Sequence, residues 1–327
     1  MDVAEPGAPI SVVVPVYNAE TSLAELIQRL EAVLRAEARE FEVLLIDDAS
    51  GDASWQRIQE LARERRWLRG VRFTRNFGQH NALLAGIRWA RHEWIVTLDD
   101  DLQHPPEEIP KLLAKLREGF DVVYGTPDRE RHGRLRDWSS VVTKLALQGA
   151  MGAEIARVVG PFRVFHRDLR DAFADFRSPY VSVDVLLTWA TTSFAAIPVR
   201  HEARREGKSN YTFRKLVAHA LNMMTGFSIV PLQLASLTGF AFTVFGLAVL
   251  VYVLARFLFQ DSTVPGFPFL ASVIAIFSGA QLFALGIIGE YLARMHFRTM
   301  GRPAYAIRSQ TDLDRNRDRG SEDSEAD

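Results

Sequence analysis

Between positions 10 and 125, short apolar runs alternate with stretches whose apolar residues recur at helical spacing. The runs Ile10 to Pro15, Phe41 to Ile46, Val71 to Phe73, Trp94 to Leu98 and Val122 to Tyr124 read as buried strands. The stretches 20–37, 52–66, 79–91 and 106–118 read as amphipathic helices. In the first of these, Leu23, Leu26, Ile27, Leu30, Val33 and Leu34 share one stripe, as in a helix laid on a core. Strand and helix in repeated alternation predict an α/β domain on a parallel, Rossmann-like sheet.

Beyond that domain the pattern changes. Residues 126–137 carry Pro, Gly and charge without apolar period, and read either as a solvated connector or as a lid whose arginines touch phosphate or headgroup. Helices are expected at 138–151 and 182–195, and 208–224 has the pattern of an amphipathic helix lying on a bilayer. Val230 to Phe259 and Phe267 to Leu292 are apolar throughout, with Arg256 and Glu290 near their ends. Each exceeds the roughly 20 residues a helix needs to cross a hydrocarbon core. The alternative is a helical hairpin buried in a soluble core.

The expected boundaries are a flexible N-terminus 1–9, an α/β domain 10–207, juxtamembrane helices 208–229 and an apolar hairpin 230–292. A C-terminal segment 293–308 and a disordered, charged tail 309–327 follow.

The formal charge of −1 conceals segregation, with Lys and Arg crowded at 129–136, 200–215 and 294–308. Anionic phosphates and lipid headgroups fit such patches better than nucleic acid does. The connector Gln260 to Gly266 has no Lys or Arg, whereas Arg204, Arg205, Lys208, Arg214 and Lys215 precede the hairpin and Arg294, Arg298 and Arg302 follow it. By the positive-inside rule both termini and the α/β domain are expected on the cytoplasmic side of the cell membrane. The start Met1-Asp-Val-Ala-Glu-Pro6 is acidic and lacks an apolar h-region, so no cleavable signal is expected. Without cysteine there is no thiolate nucleophile and no Cys-ligated zinc.

The chemistry centres on Asp99-Asp-Asp101, which closes the strand Trp94 to Leu98 and precedes Pro105, Pro106, Glu107 and Glu108, suited to the start of a helix. Carboxylates crowded at a buried strand end repel one another and are costly to desolvate. A divalent cation relieves both costs. Hard ions such as Mg²⁺ take oxygen ligands and share them with substrate phosphates, so Asp99 and Asp101 are candidate anchors for a diphosphate. In open α/β sheets, ligands bind beyond the carboxyl ends of strands, where this triplet lies. Zinc-protease, nucleophile-elbow and phosphate-loop motifs are absent from the sequence.

The ordered motifs are Val14-Pro-Val-Tyr-Asn-Ala-Glu20, Ile46-Asp-Asp-Ala-Ser-Gly-Asp52, Arg75-Asn-Phe-Gly-Gln-His80, Ala85-Gly86, Asp99-Asp-Asp-Leu-Gln-His-Pro-Pro106, Gly207-Lys-Ser-Asn-Tyr211 and Gly289-Glu-Tyr-Leu-Ala-Arg294. Together they resemble glycosyltransferase family 2 in its polyprenyl-phosphate branch, over roughly residues 10 to 308. Their wording looks most like that of the 4-deoxy-4-formamido-L-arabinose transferases of the branch.

The resemblance implies a GT-A type nucleotide-binding domain with a transmembrane hairpin. It also implies inverting transfer of a sugar from a nucleoside-diphosphate sugar, UDP-linked, to polyprenyl phosphate, a cell-envelope activity in a homo-oligomer such as a tetramer. Pro15, Tyr17 and Glu20 would hold base and ribose, and Asp48 would accept from a base N–H. A rival reading has Asp47, Asp48, Ser50 and Asp52 form a turn and cap the next helix. Asp99, Asp101 and Gln103 would hold Mg²⁺ or Mn²⁺. Arg75 would steady sugar or phosphate, or be an ordinary surface arginine. Arg163, Arg205 and Lys208 would receive the lipid phosphate or the diphosphate, with Ser209 and Tyr211 also on the binding side.

Three positions depart from the family wording: Pro161 where an Asp is common, Asn210 where a Lys is, and Asp100 in place of Ala. No general base is therefore carried over. None is needed, because a phosphate monoester has a second pKa of about 6 and is already an anionic nucleophile. Rival readings keep the donor site with a glycan, protein or diacylglycerol acceptor, or make the chain a degenerate transferase serving as a membrane scaffold.

Overall fold

The computed structural model describes residues 7–127, 158–178, 181–202, 230–260, 266–301 and 303–311. The elements are β1 (Ile10–Val16), α1 (Leu23–Glu37), β2 (Phe41–Asp47), α2 (Ser54–Glu64), β3 (Leu68–Phe73), α3 (Gln79–Trp89), β4 (Trp94–Thr97) and α4 (Ile109–Leu116). There follow β5 (Val122–Pro127), β6 (Arg163–His166), α5 (Val183–Ala190), β7 (Phe194–Val199), α6 (Val230–Gln260), α7 (Phe267–Thr299) and β8 (Ile307–Gln310).

All seven residues of β1 are buried, because the strand runs through the middle of the sheet with a layer on each face. Val12, Val14 and Val16 join the core beneath α1, α2 and α4, whereas Val13 points to the opposite core, under α3 and α5. On that second face α3 approaches β1 so closely that a Cβ on Gly86 would lie 2.2 Å from Val13 Cγ1. Glycine is required there for contact distance. The stripe read for α1 is buried at Leu23, Leu26, Ile27, Leu30 and Leu34, with Val33 partly covered. The helix begins three residues later than expected, since Glu20 to Ser22 turn to form the loop after β1. Residues 106–118 likewise divide into a 3₁₀ turn, Pro106–Glu108, and α4, closed just beyond its end by Gly119 at φ +101°.

The sheet has eight strands in the order β7-β5-β6-β4-β1-β2-β3-β8. β1 pairs in parallel with both β2 and β4, so the order reverses at β1 and opens a crevice past its C-terminal end. The expected parallel sheet holds for β4-β1-β2-β3 and for β5-β7, but β6 runs antiparallel between β4 and β5, and β8 antiparallel along β3. The sheet is therefore mixed. Helix 182–195 is also shorter than expected: it ends at Ala190, and Phe194–Val199 is an edge strand instead. Ser309 and Gln310, assigned from sequence to a disordered tail, belong to β8.

The apolar hairpin forms two helices of 31 and 33 residues, the second running to Thr299, past the expected Leu292. Their most apolar windows, Leu232–Val249 and Ile276–Ala293, are 6% and 0% buried. A core helix of a soluble protein would be covered, whereas here Leu237, Phe240, Leu282 and Phe283 stand exposed. The two helices meet where the Phe242 and Phe277 rings lie edge to face at 5.5 Å, with Gly246 making room for Phe277. They are candidate membrane helices by length, composition and exposure. The sequence readings for 1–6, the loop 128–137, helix 138–151, residues 203–229 and the tail beyond 311 lie outside the described residues.

Candidate active site

Four loops leave the C-terminal ends of β1 to β4 and are stitched to one another around the crevice. From the β1 loop, Tyr17 N–H donates to Asp100 Oδ2 at 3.0 Å, Asn18 N–H to Ser50 Oγ at 3.0 Å and Ala19 N–H to Ser54 Oγ at 2.8 Å. Asn18 Oδ1 accepts from Gly51 N–H at 2.8 Å. Among the described residues, the non-glycine positions with positive φ are Asn18, Ala49 and Leu102, one in each of the β1, β2 and β4 loops. Backbone strain thus concentrates around the crevice, as it does at functional sites.

Asp48 ends the β2 side. Its two carboxylate oxygens accept from Phe77 N–H at 2.6 Å and Gly78 N–H at 2.8 Å, which fixes the turn before α3. Gly78 takes φ +96°, a conformation side chains rarely adopt. Burial pushes Asp48 up to about 6 even though both N–H bonds favour its charged form. Next to it Asp47 accepts from Ser50 N–H at 3.0 Å and pairs with Arg72 Nε at 3.1 Å, and Asp52 accepts from Ser54 N–H and its hydroxyl. Asp47 and Asp52 thus make the local contacts of a turn before α2, whereas Asp48 binds the turn before α3 instead.

The Asp99 carboxyl is strongly shifted. Burial first, then the negative charges of Asp101 and Asp100, push it up to about 7, against the pull of Arg163 and a 2.6 Å hydrogen bond from Gln79 Nε2. A carboxyl that holds its proton near neutral pH beside two more carboxyls is the donor set a hard divalent cation would discharge. Asp101 Oδ1 accepts from Gln103 N–H at 3.1 Å, and Gln103 O accepts from Glu202 N–H at 2.9 Å. Among the described residues no three His, Asp or Glu side chains form a ready cage.

Other sequence-selected residues take different places. Tyr17 stands at the mouth of the crevice, 50% exposed. Arg75 is exposed, with its guanidinium 4.4 Å from the Phe77 ring centre. Pro15 is buried within β1. Glu20 turns toward α2, where its Oε2 accepts from Ala53 N–H at 2.7 Å, capping that helix.

Arg163 does not face the crevice opening: it is 1% exposed. The register of β4, β6 and β5 lines up Thr97, Arg163 and Tyr124 in one row, and Asp184 of α5 covers them. Arg163 Nε donates to Thr97 Oγ1 at 3.0 Å, Arg163 Nη1 pairs with Asp184, and the Tyr124 hydroxyl donates to Asp184 Oδ1 at 3.0 Å. The Thr97 hydroxyl donates in turn to Pro161 O at 2.7 Å. This cation sits behind the Asp99 strand end and acts on Asp99 through its field. Arg205, Lys208, Ser209 and Tyr211 lie outside the described residues.

Sequence reasoning missed Gln79, Thr97, Tyr124 and Asp184. Gln79 stood inside the quoted Arg75 to His80 motif, whereas a single Asp in the apolar helix Val183–Ala190 gave no local signal.

Residues 11–173 match the family described as Glycosyl transferase family 2. Over 301 residues the chain is 36% identical to the undecaprenyl-phosphate 4-deoxy-4-formamido-L-arabinose transferase of Pseudomonas paraeruginosa (strain DSM 24068 / PA7), covering 91% of this chain and 89% of that one. The transferase of the same name from Enterobacter sp. (strain 638) is 35% identical, with 91% and 92% covered. Among solved structures, glucosyl-3-phosphoglycerate synthase of Mycobacterium tuberculosis, crystallised with Mn²⁺, UDP-glucose and phosphoglyceric acid, superposes with a TM-score of 0.50 at 21% identity. That match covers 67% of this chain and 78% of the synthase, and marks a shared fold. With the mixed GT-A sheet, the strand-end carboxylates and similarity running through the apolar hairpin, the chain is a glycosyltransferase and belongs to glycosyltransferase family 2.

Proposed function

We propose that this enzyme moves a sugar from a UDP-linked donor to undecaprenyl phosphate, with inversion, at the cytoplasmic face of the membrane that its two apolar helices span. The observation that carries the reading is the placing of Asp99 and Asp101 just beyond the C-terminal end of β4, the neighbour of β1 at which the strand order reverses. Asp99 and Asp101, with Gln103, would hold Mg²⁺ or Mn²⁺, which supplies charge neutralisation for a departing nucleoside diphosphate. Tyr17, in the loop after β1, and Arg75, in the turn before α3, would bind the donor. The acceptor assignment is supported by similarity over 91% of the chain to transferases named for undecaprenyl phosphate. The Lys- and Arg-free connector between the helices supports the orientation.

The absence of a carboxylate at Pro161 is compatible with this chemistry. Pro161 O accepts the Thr97 hydroxyl, and the acceptor phosphate arrives already charged. The test is a panel of UDP-sugars incubated with purified full-length protein, undecaprenyl phosphate and Mg²⁺ or Mn²⁺, with products identified by mass. A lipid-linked, mild-acid-labile sugar phosphate is expected. Product on a glycan, protein or diacylglycerol instead, or bound donor without transfer to any acceptor, would overturn the reading.

Asp99 also sets a pH dependence. Folded Asp99 keeps its proton to about pH 7, whereas an unfolded Asp releases it near 4. Across that window the folded state binds more protons, so in metal-free protein the contribution of Asp99 to stability falls as pH rises. A bound cation and that proton exclude one another. The apparent Mn²⁺ affinity, measured by calorimetry from pH 5.5 to 8.5, is expected to rise by up to about tenfold per unit below 7 and to level off above it. A flat profile contradicts the assignment of Asp99.

A further inference from the structure

After α7 the chain turns through Gly301, at φ +62°, and returns to the sheet. Ala304 is buried, Ala306 O accepts from Thr74 N–H at 3.0 Å, and β8 then runs antiparallel along β3, pairing Ile307 with Phe73, Ser309 with Arg72 and Gln310 with Val71. Thr311, 6% exposed, closes the segment by accepting Gly70 N–H on its Oγ1 at 3.0 Å. Residues 303–311 therefore cover the edge of β3, which would otherwise present unpaired backbone groups.

The contacts continue inward as a relay. The Tyr305 ring stacks on Phe73 with centres 5.3 Å apart and planes 8° from parallel. Phe73, fully buried, meets Phe77 edge to face at 5.6 Å. Phe77 N–H and the next N–H, of Gly78, are the two that Asp48 accepts, and the following side chain, Gln79, holds Asp99. Along β8, Ser309 is paired with Arg72, whose guanidinium reaches Asp47 at 3.1 Å and Ser50 O at 3.2 Å. The Asp48 bonds to the turn before α3 and the Arg72 contacts with Asp47 and Ser50 thus back onto a ring or strand that residues 303–311 support.

We propose that residues 303–311 are a strap by which the C-terminal end of the second apolar helix sets the turn before α3, with Tyr305 as the positioning residue. The turn from Thr74 to Gly78 lies between β3 and α3, outside both. It is held by the Asp48 bonds at its end and the aromatic stack at its base. Few residues separate Thr299 from Tyr305, so a shift of the helix end is transmitted to the turn instead of being absorbed by a long linker. The consequence for donor binding rests on the reading above, in which this turn is one wall of the donor site; the mechanical coupling does not.

The experiment is hydrogen exchange on the ligand-free, full-length protein in lipid nanodiscs, comparing Tyr305→Ala, Tyr305→Leu and Tyr305→Phe. Exchange at the Phe77 and Gly78 amides is expected to quicken about three- to tenfold in Tyr305→Ala, the scale set by one aromatic pair. A smaller rise is expected in Tyr305→Leu, which keeps apolar cover but not the ring, and none in Tyr305→Phe. The β1 amides Val12 to Val14 serve as the control and are expected to stay protected in all three. Unchanged exchange at Phe77 and Gly78 in both Tyr305→Ala and Tyr305→Leu overturns the strap, as does a uniform rise that includes β1.

UDP binding in the presence of Mn²⁺ is measured on the same samples, with a severalfold loss expected in Tyr305→Ala and rescue in Tyr305→Phe. Wild-type protein that fails to bind UDP would contradict the donor reading and leave the exchange result to decide the strap. Wild-type binding that Tyr305→Ala leaves unchanged would sink the functional half of the strap alone.

Discussion

Replacing Asp101 by Asn is expected to lower sugar transfer at least about a thousandfold while the protein stays folded. A cation at a departing diphosphate supplies several kcal/mol of transition-state charge stabilisation, and about 1.4 kcal/mol is tenfold in rate. Asn keeps an oxygen for the Gln103 N–H that Asp101 Oδ1 accepts, so the loop after β4 retains its local bond. The substitution also removes the larger of the two negative charges pushing Asp99 up, so the metal-free melting temperature near neutral pH is expected to hold or rise. Lost activity with preserved melting separates loss of cation binding from unfolding. Retained metal-dependent turnover in purified Asp101→Asn would contradict the site assignment.

The largest stability effect is expected at Asp184. In Asp184→Ala the Arg163 guanidinium keeps its buried place and its bond to Thr97 but loses its counter-charge, and the Tyr124 hydroxyl loses its acceptor. Removing one partner of a buried ion pair costs about 3–5 kcal/mol, because the remaining charge stays desolvated. The double variant Asp184→Ala with Arg163→Met removes both charges and is expected to recover most of that loss. It should still differ from wild type in one respect. Without the Arg163 field, which lowers Asp99, the Mn²⁺ affinity profile moves to higher pH. Thermal melts of the three variants followed by tryptophan fluorescence, together with the calorimetric pH profile, check both halves. A double variant no more stable than Asp184→Ala would show that shape, not charge, dominates there.

Much of the fold was legible because the strands around β1 are buried on both faces and read as largely apolar runs. The strands that escaped notice have physical reasons for doing so. β6 begins on Arg163 and ends on His166, so only two apolar residues mark it in the sequence. β7 contains Ala195, Ala196 and Pro198, tolerated because it is an edge strand. β8, Ile-Arg-Ser-Gln, has no apolar alternation and exists because β3 offers it an edge. Antiparallel pairing of β6 and β8 depends on contacts across long sequence separations, which local pattern does not encode.

The candidate site divides along the same line. Asp99 and Asp101 were legible from position alone, since a strand end followed by a helix start fixes where they lie. Arg163, expected to receive a phosphate, is buried and paired with Asp184 from a helix distant in sequence. Glu20, expected with Pro15 and Tyr17 at the base and ribose, accepts from Ala53 N–H at the start of α2, a contact between residues 33 positions apart. Asp48 binds the backbone of the turn before α3, so its part in any donor recognition includes shaping that turn.

The central claim is that a cation held by Asp99 and Asp101 makes transfer to a lipid phosphate possible. Its most direct test is a divalent-ion titration of exhaustively chelated full-length protein with a UDP-sugar and undecaprenyl phosphate, scored by the mass of the lipid product. No lipid-linked sugar before the ion is added, and its return with Mg²⁺ or Mn²⁺, is the result expected. Undiminished product in the chelated protein would contradict it.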